Sequence, residues 1–309
     1  MTLVQAGTMA AQVDAVRLYP RSKGSIVKFF KLNMFAGVAL AALCATAGAS
    51  PLFQVTPTAL GGATTAAPFY ADFIAGTSSE LITATSATTF SGSGWVQYSS
   101  FTNAGNTILP GTSGLDVTYQ LYLTFSSTDT LASGTAYGAN STYNINTLNF
   151  KVYADPNVNT TFTQANATTL TNATVGGTTS DDILLGDGSI VSGTAGFDAL
   201  GGAYINAINT FGLCTGAGTA AIGAANVADA NCTTGTGRAF FSQPIPFYSL
   251  AFSEYNNTTQ GILQNGNVVS ITNASGGVDF NGVPEPASLA LAGIALLGLG
   301  IASKRKSQS

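Results

Sequence analysis

The sequence contains no histidine, and between residues 48 and 282 its only basic residues are Lys151 and Arg238. Without imidazole there is no Ser-His-Asp triad, no Cys-His pair and no His-bearing metal site. A Ser-Lys dyad would have to use Lys151, which sits in the stretch NFKVYAD, where a solvated strand face is its expected place. The same span carries twelve acidic residues, so its net charge is −10 although the whole chain sums to −4. A surface of that sign repels nucleic acid and excludes binding of polyanions through basic patches.

Cysteine is scarce as well. Cys44 follows Leu43, which is not the small residue a lipobox needs. Cys214 and Cys232 remain, and an even pair in an exported chain predicts a disulfide. Closing that loop contributes about 3 kcal/mol in a chain-entropy account. A redox role is the weaker alternative, because the spacing does not resemble C-x-x-C. Twelve carboxylates leave a paired-carboxylate hydrolase open, but nothing in their spacing promotes one. Asp181, Asp182 and Asp187 in SDDILLGDGS lack the spacing of an EF-hand, and a turn between strands is expected there. No cofactor and no metal are expected.

What is present is clearest at the two ends. Arg21, Lys23, Lys28 and Lys31 precede an apolar run from Met34 to Cys44, and ATAGAS then offers Ala47 and Ala49 as small residues for cleavage. This is the pattern of a secretory signal peptide, with an apolar run too short to span a bilayer. At the other end, Val283, Pro284, Glu285 and Pro286 form a stiff, extended segment. The run from Ala287 to Ala302 follows, and Lys304, Arg305 and Lys306 form a basic stop. As a helix that run would reach ~24 Å, slightly less than the ~30 Å hydrocarbon core. Transient insertion in the inner membrane with the basic residues in the cytoplasm is expected. The organisation is therefore a leader and signal peptide over 1–49, an ectodomain over 50–282 and a tail with a hydrophobic helix and basic end over 283–309.

The ectodomain is rich in Gly, Ser, Thr, Asn and Ala, yet it alternates. In LDVTYQLYLTF, Val117, Tyr119, Leu121, Leu123 and Phe125 share one face, with Thr118, Gln120, Tyr122 and Thr124 on the other. Leu148, Phe150 and Val152 alternate in the same way with Thr147, Asn149 and Lys151. Period 2 over such lengths predicts half-buried strands. About ten short strands are expected, with SGSG, LPGTSG, GDGS and QNGN as turns, while GGAYINAINTFG fits helix or strand. The fold class is mainly β, an antiparallel sandwich of jelly-roll type, flanked by a signal-peptide helix and a short C-terminal hydrophobic helix. FFSQPIPFYSLAF holds Phe240, Phe241, Phe247, Tyr248 and Phe252, which fill a core more simply than they form a sugar platform.

Val283-Pro284-Glu285-Pro286, the apolar run and the basic end resemble the PEP-CTERM sorting signal. That resemblance implies processing by an exosortase-type enzyme. More narrowly, SPLFQVTPTALGG, ADPNVNTTFTQ, SDDILLGDGSIVSG and FFSQPIPFYSLAFS, in that order, resemble flocculation-associated PEP-CTERM proteins. Thr210 to Arg238, with the cysteine pair, has no counterpart in that pattern. This resemblance implies a non-enzymatic protein of the cell surface or extracellular matrix. It would promote aggregation, as flocs or biofilm, together with an extracellular polysaccharide. A carbohydrate-binding module is the alternative, and a carboxylate-dependent glycoside hydrolase the third reading. Exposed coplanar aromatics would favour the second, and two carboxyls facing across a cleft the third.

Overall fold

Alternation at period 2 becomes eight long antiparallel strands: β1 (Phe73–Ala84), β2 (Thr89–Asn103), β3 (Gln120–Ser133), β4 (Ser141–Asp155), β5 (Ile183–Phe197), β6 (Ala203–Thr210), β7 (Leu250–Asn256) and β8 (Val268–Asn281). The computed structural model describes residues 51–281 except 63, 217–218, 223–224, 229–231, 233–234 and 258–260. The expected signal-peptide helix with Ala47 and Ala49 lies outside the described residues. So does the tail with Val283, Pro284, Glu285, Pro286, its hydrophobic helix and Lys304, Arg305 and Lys306.

Each strand pairs with the next in chain order, and β8 then pairs with β1 from Val268↔Thr83 to Val278↔Ile74. The result is an eight-stranded up-and-down antiparallel barrel, which corrects the expected sandwich. Closure leaves the eight strands without an edge. Bulges at Ala75/Gly76, Leu184/Gly186, Ile190/Ser192 and Thr272/Ala274 supply the local bends that a curved sheet requires.

One face of every strand turns inward. Leu121, Leu123, Leu148 and Val152 are buried, whereas Ser126, Thr128, Thr147 and Asn149 are exposed. Val117 departs from the expected pattern and is 61% exposed. It precedes β3 in a turn where Asp116 adopts φ +58°, so the strand phase does not reach it. Tyr122 lies on the outer face yet is buried, because it stacks on Tyr153 and is met by the edge of Phe162. An apolar interior and a hydroxyl- and amide-rich exterior are the reverse of a membrane-spanning barrel. No helix among the described residues is long and apolar enough to cross a membrane.

Two of the expected turns are strand interiors. SGSG lies within β2 and GDGS within β5. LPGTSG contains a one-turn helix, Pro110–Ser113, and GGAYINAINTFG supplies β6. One end of the barrel is plugged by aromatic rings. Phe53 and Phe241, on short paired strands outside the barrel, pack with Phe211, Phe247 and Phe280 at centroid distances of 4.9–6.4 Å. At the other end Phe90 meets Tyr137 and Tyr143, and Tyr143 meets Phe197.

A strap between β4 and β5 crosses the outside of the wall. Trp95 Nε1 donates to the Thr163 carbonyl at 2.9 Å, and the Trp95 ring packs on Phe162. The Ala165 and Ala167 N–H groups donate to Ser79 Oγ (2.9 Å) and Ser270 Oγ (3.1 Å) on the neighbouring strands β1 and β8. Leu81 and Val268 are buried beneath these alanines. Cys214 and Cys232 are joined, with S–S 2.06 Å and Cα–Cα 5.0 Å, and are buried beside Leu184.

Candidate functional site

The lumen contains a carboxyl pair that the apolar pattern does not anticipate. Glu80 follows Ile74 and Ser78 on the inward phase of β1, and Asp129 follows Leu121, Leu123 and Phe125 on that of β3. Glycines in SGSG make the space. A Cβ at Gly92 would lie 2.1 Å from Glu80 Oε1, and one at Gly94 would lie 2.8 Å from Phe125 Cζ. Ser127 Oγ donates to Asp129 Oδ2 at 3.1 Å. Burial, and then the charge of Asp129, pushes the Glu80 carboxyl up to about 8, with the Ser127 hydroxyl opposing. Burial raises Asp129 to about 6. The Tyr98 and Tyr255 phenols are also raised, chiefly by burial.

Two adjoining cavities, of about 80 and about 70 Å³, occupy the lumen and share Ser78, Glu80, Phe125, Leu148, Ile205 and Tyr255. Neither Lys151 nor Arg238 lines them. Asp129 Oδ1 and Asn209 Oδ1 are buried without a protein hydrogen-bond partner, whereas the Tyr255 phenol interacts with that of Tyr98. The one sequence signal for this pair was an acid falling on the apolar phase of an alternating strand.

The other acidic cluster is a folding device. The buried Asp155 carboxylate accepts from the backbone N–H groups of Asn157, Val158, Asn159 and Thr160 at 2.7–3.1 Å. Asp182 accepts from Tyr122 Oη and Thr160 Oγ1, and Asp181 from Asn157 Nδ2. These bonds anchor the start of the strap to the wall. Asp187 stands apart, opposite Lys151 in the β4–β5 register. Among the described residues no group of three His, Cys, Asp or Glu side chains could hold a metal ion.

Phe240 and Phe241 are 0% and 1% exposed, and Phe247 packs in the plug, so this line of rings does not form a sugar platform. A different surface is available. Ser93 on β2, Ser126 on β3, Asn149 on β4 and Ser189 on β5 stand opposite one another in register, on outward-facing positions. The first three are exposed. The next row adds Ser91, Thr128 and Thr147, with Thr128 Oγ1 and Thr147 Oγ1 2.7 Å apart. The patch presents hydroxyls and amides at the ~4.8 Å strand spacing.

No curated protein and no solved structure matches this chain. In the sequence, Val283, Pro284, Glu285 and Pro286 begin two residues after β8 ends at Asn281, and Lys304, Arg305 and Lys306 come after the apolar run. Residues 282–306 match the PEP-CTERM protein-sorting motif, which implies processing by an exosortase-type enzyme and is consistent with export and a transient membrane anchorage before processing.

Proposed function

We propose that the exported barrel is a non-enzymatic surface or matrix protein that holds cells together in flocs or biofilm through extracellular polysaccharide. The observation that carries this reading is the neutral patch of Ser93, Ser126, Asn149 and Ser189, with Thr128 and Thr147 beside it. Hydroxyls and amides on a rigid wall exchange hydrogen bonds with sugar hydroxyls without needing charge. With net charge −10 over residues 48–282, simple attraction to an acidic polysaccharide is not available. The sorting motif supports delivery to where such a matrix forms. The carboxyl pair supports no hydrolase reading, because it lies inside a lumen lined by Phe, Leu and Ile side chains and not along a groove that a glycan chain could follow.

The test has two arms. A deletion strain that still makes polysaccharide is expected to grow as dispersed cells. Complementation with Ser126→Asp and Asn149→Asp together is expected to leave secretion and melting temperature unchanged. It is expected to lower retention of the protein on isolated polysaccharide by about tenfold, a loss of roughly 1.4 kcal/mol. Wild-type retention should change little with monovalent salt. Normal flocculation in the deletion strain, or release of reducing sugar from the polysaccharide by purified protein, would overturn the reading.

A further inference from the structure

The barrel lumen carries an imbalance of hydrogen-bonding chemistry. Its walls are apolar at both ends, but its waist holds Glu80 and Asp129 with no cation among the lining residues. Asp129 is 8% exposed and its Oδ1 has no protein hydrogen-bond partner; Asn209, 2% exposed with Oδ1 likewise unpartnered, lines the adjoining cavity. Ser127, the neighbouring hydroxyl, already donates to Asp129 Oδ2. The waist therefore holds one buried carboxylate, Asp129, with a single hydroxyl donor and no cation, beside a Glu80 carboxyl that keeps its proton. An ammonium group supplies the missing counter-charge, since it brings three donors, a positive charge and no acceptor.

Position agrees with chemistry. Glu80, Asp129 and Tyr255 all line the ~70 Å³ cavity, which continues against Phe90, Tyr143 and Phe197. That volume is several times the ~10–15 Å³ that a single water occupies by the same kind of measure. The space left by Gly92 and Gly94 lets the Glu80 carboxyl and the Phe125 ring lie inside the wall. Replacing either glycine with a larger residue would fill it.

We propose that the lumen is a binding site for a small organic cation, a primary amine on a compact apolar body. The Asp129 carboxylate holds the ammonium, the carbonyl oxygen of the Glu80 carboxyl accepts from it, and the body packs against Phe90, Tyr143 and Phe197. The site goes beyond the surface role and is independent of it, because its residues face inward while the polysaccharide patch faces outward. An anionic ligand of the same shape meets the Asp129 charge, and a neutral alcohol leaves that charge uncompensated.

The experiment titrates the purified exported protein by calorimetry with three matched probes: benzylamine, benzyl alcohol and benzoate. Benzylamine is expected to bind at least tenfold more tightly than the other two. Asp129→Asn keeps the side-chain shape and is expected to weaken benzylamine about tenfold or more, with benzyl alcohol nearly unchanged, whereas Glu80→Gln, which exchanges a protonated carboxyl for a neutral amide, is expected to weaken it less. Affinity is expected to fall as pH drops through about 6, where Asp129 takes up a proton. The other titratable groups lining this cavity are Glu80 and the phenols of Tyr137, Tyr143, Tyr204 and Tyr255. Ser126→Asp with Asn149→Asp should leave benzylamine binding intact, which separates failure of this site from failure of the surface role. If Asp129→Asn does not fold, the wild-type probe series and its pH dependence still decide. No binding of benzylamine, equal binding of all three probes, or an affinity unaffected by Asp129→Asn overturns the proposal.

Discussion

Glu80 shows how one residue can run against the pattern that builds its strand. Its neighbours on the inward phase are Ser78 and Ile82, and a carboxylate in that row costs desolvation energy unless it keeps its proton. With its carboxyl raised from the usual 4.5 to about 8, folded protein holds a proton there that unfolded protein has lost over the intervening range. Stability linked to this group is fully present below about pH 4.5 and declines as pH rises to about 8, then levels off. Asp129 acts in the same direction between 3.8 and about 6. Thermal melts of wild-type protein and Glu80→Gln should therefore diverge with pH. The variant is expected to be the more stable at pH 8 by a few kcal/mol, since each tenfold change in proton affinity is equivalent to about 1.4 kcal/mol. It should lose that advantage near pH 4.5. Parallel curves across this range would show that Glu80 is ionised in the folded protein.

At the scale of elements, the strap depends on two hydroxyls of the wall. Ser79 and Ser270 are both 0% exposed although they belong to outward-facing positions, because Ala165 and Ala167 lie over them. Removing either hydroxyl leaves a buried N–H without its acceptor, which costs roughly 1–3 kcal/mol. Ser79→Ala and Ser270→Ala should each lower stability by about that amount. They should accelerate hydrogen exchange at the Ala165 and Ala167 amides more than at the inward core strands. Uniform acceleration over the whole barrel would mean that the strap and wall unfold as one unit and that these bonds have no local role. The glycines of SGSG belong to this scale too. A cluster of Gly and Ser ordinarily marks a turn, but here it supplies the thin section of β2 opposite Glu80 and Phe125.

For the whole molecule, the barrel and the sorting motif occupy separate stretches of the chain. The wall is closed by β8 pairing with β1, and the sorting segment starts immediately beyond β8. Processing near the triplet would thus free the barrel without removing a strand. Replacing Pro284, Glu285 and Pro286 with alanine is expected to leave a longer form retained in the membrane fraction, while secretion of wild-type protein yields the shorter form. Mass spectrometry of both fractions checks this. Unchanged mass and unchanged release would remove the triplet from the processing step.

Local pattern was enough for much of this. The alternation at Leu121, Leu123 and Phe125 and at Leu148, Phe150 and Val152 determined strands and their inward faces, because a pleated backbone sends successive side chains to opposite sides whatever lies across from it. The charge asymmetry, the absence of histidine and the three-part tail were likewise complete in the sequence. What only tertiary structure decided were relations between distant residues. One buried face per strand serves a sandwich and a barrel equally well. The choice was made by pairing Ile74 with Val278, some two hundred residues apart, and no local signal encodes that. Burial of Tyr122, Ser79 and Trp95 came from the strap folding back over the wall. The carboxyl pair arose because closure brought the inward phases of β1 and β3 to one waist, with Gly92 and Gly94 of β2 between them leaving room for a side chain that their own strand does not carry.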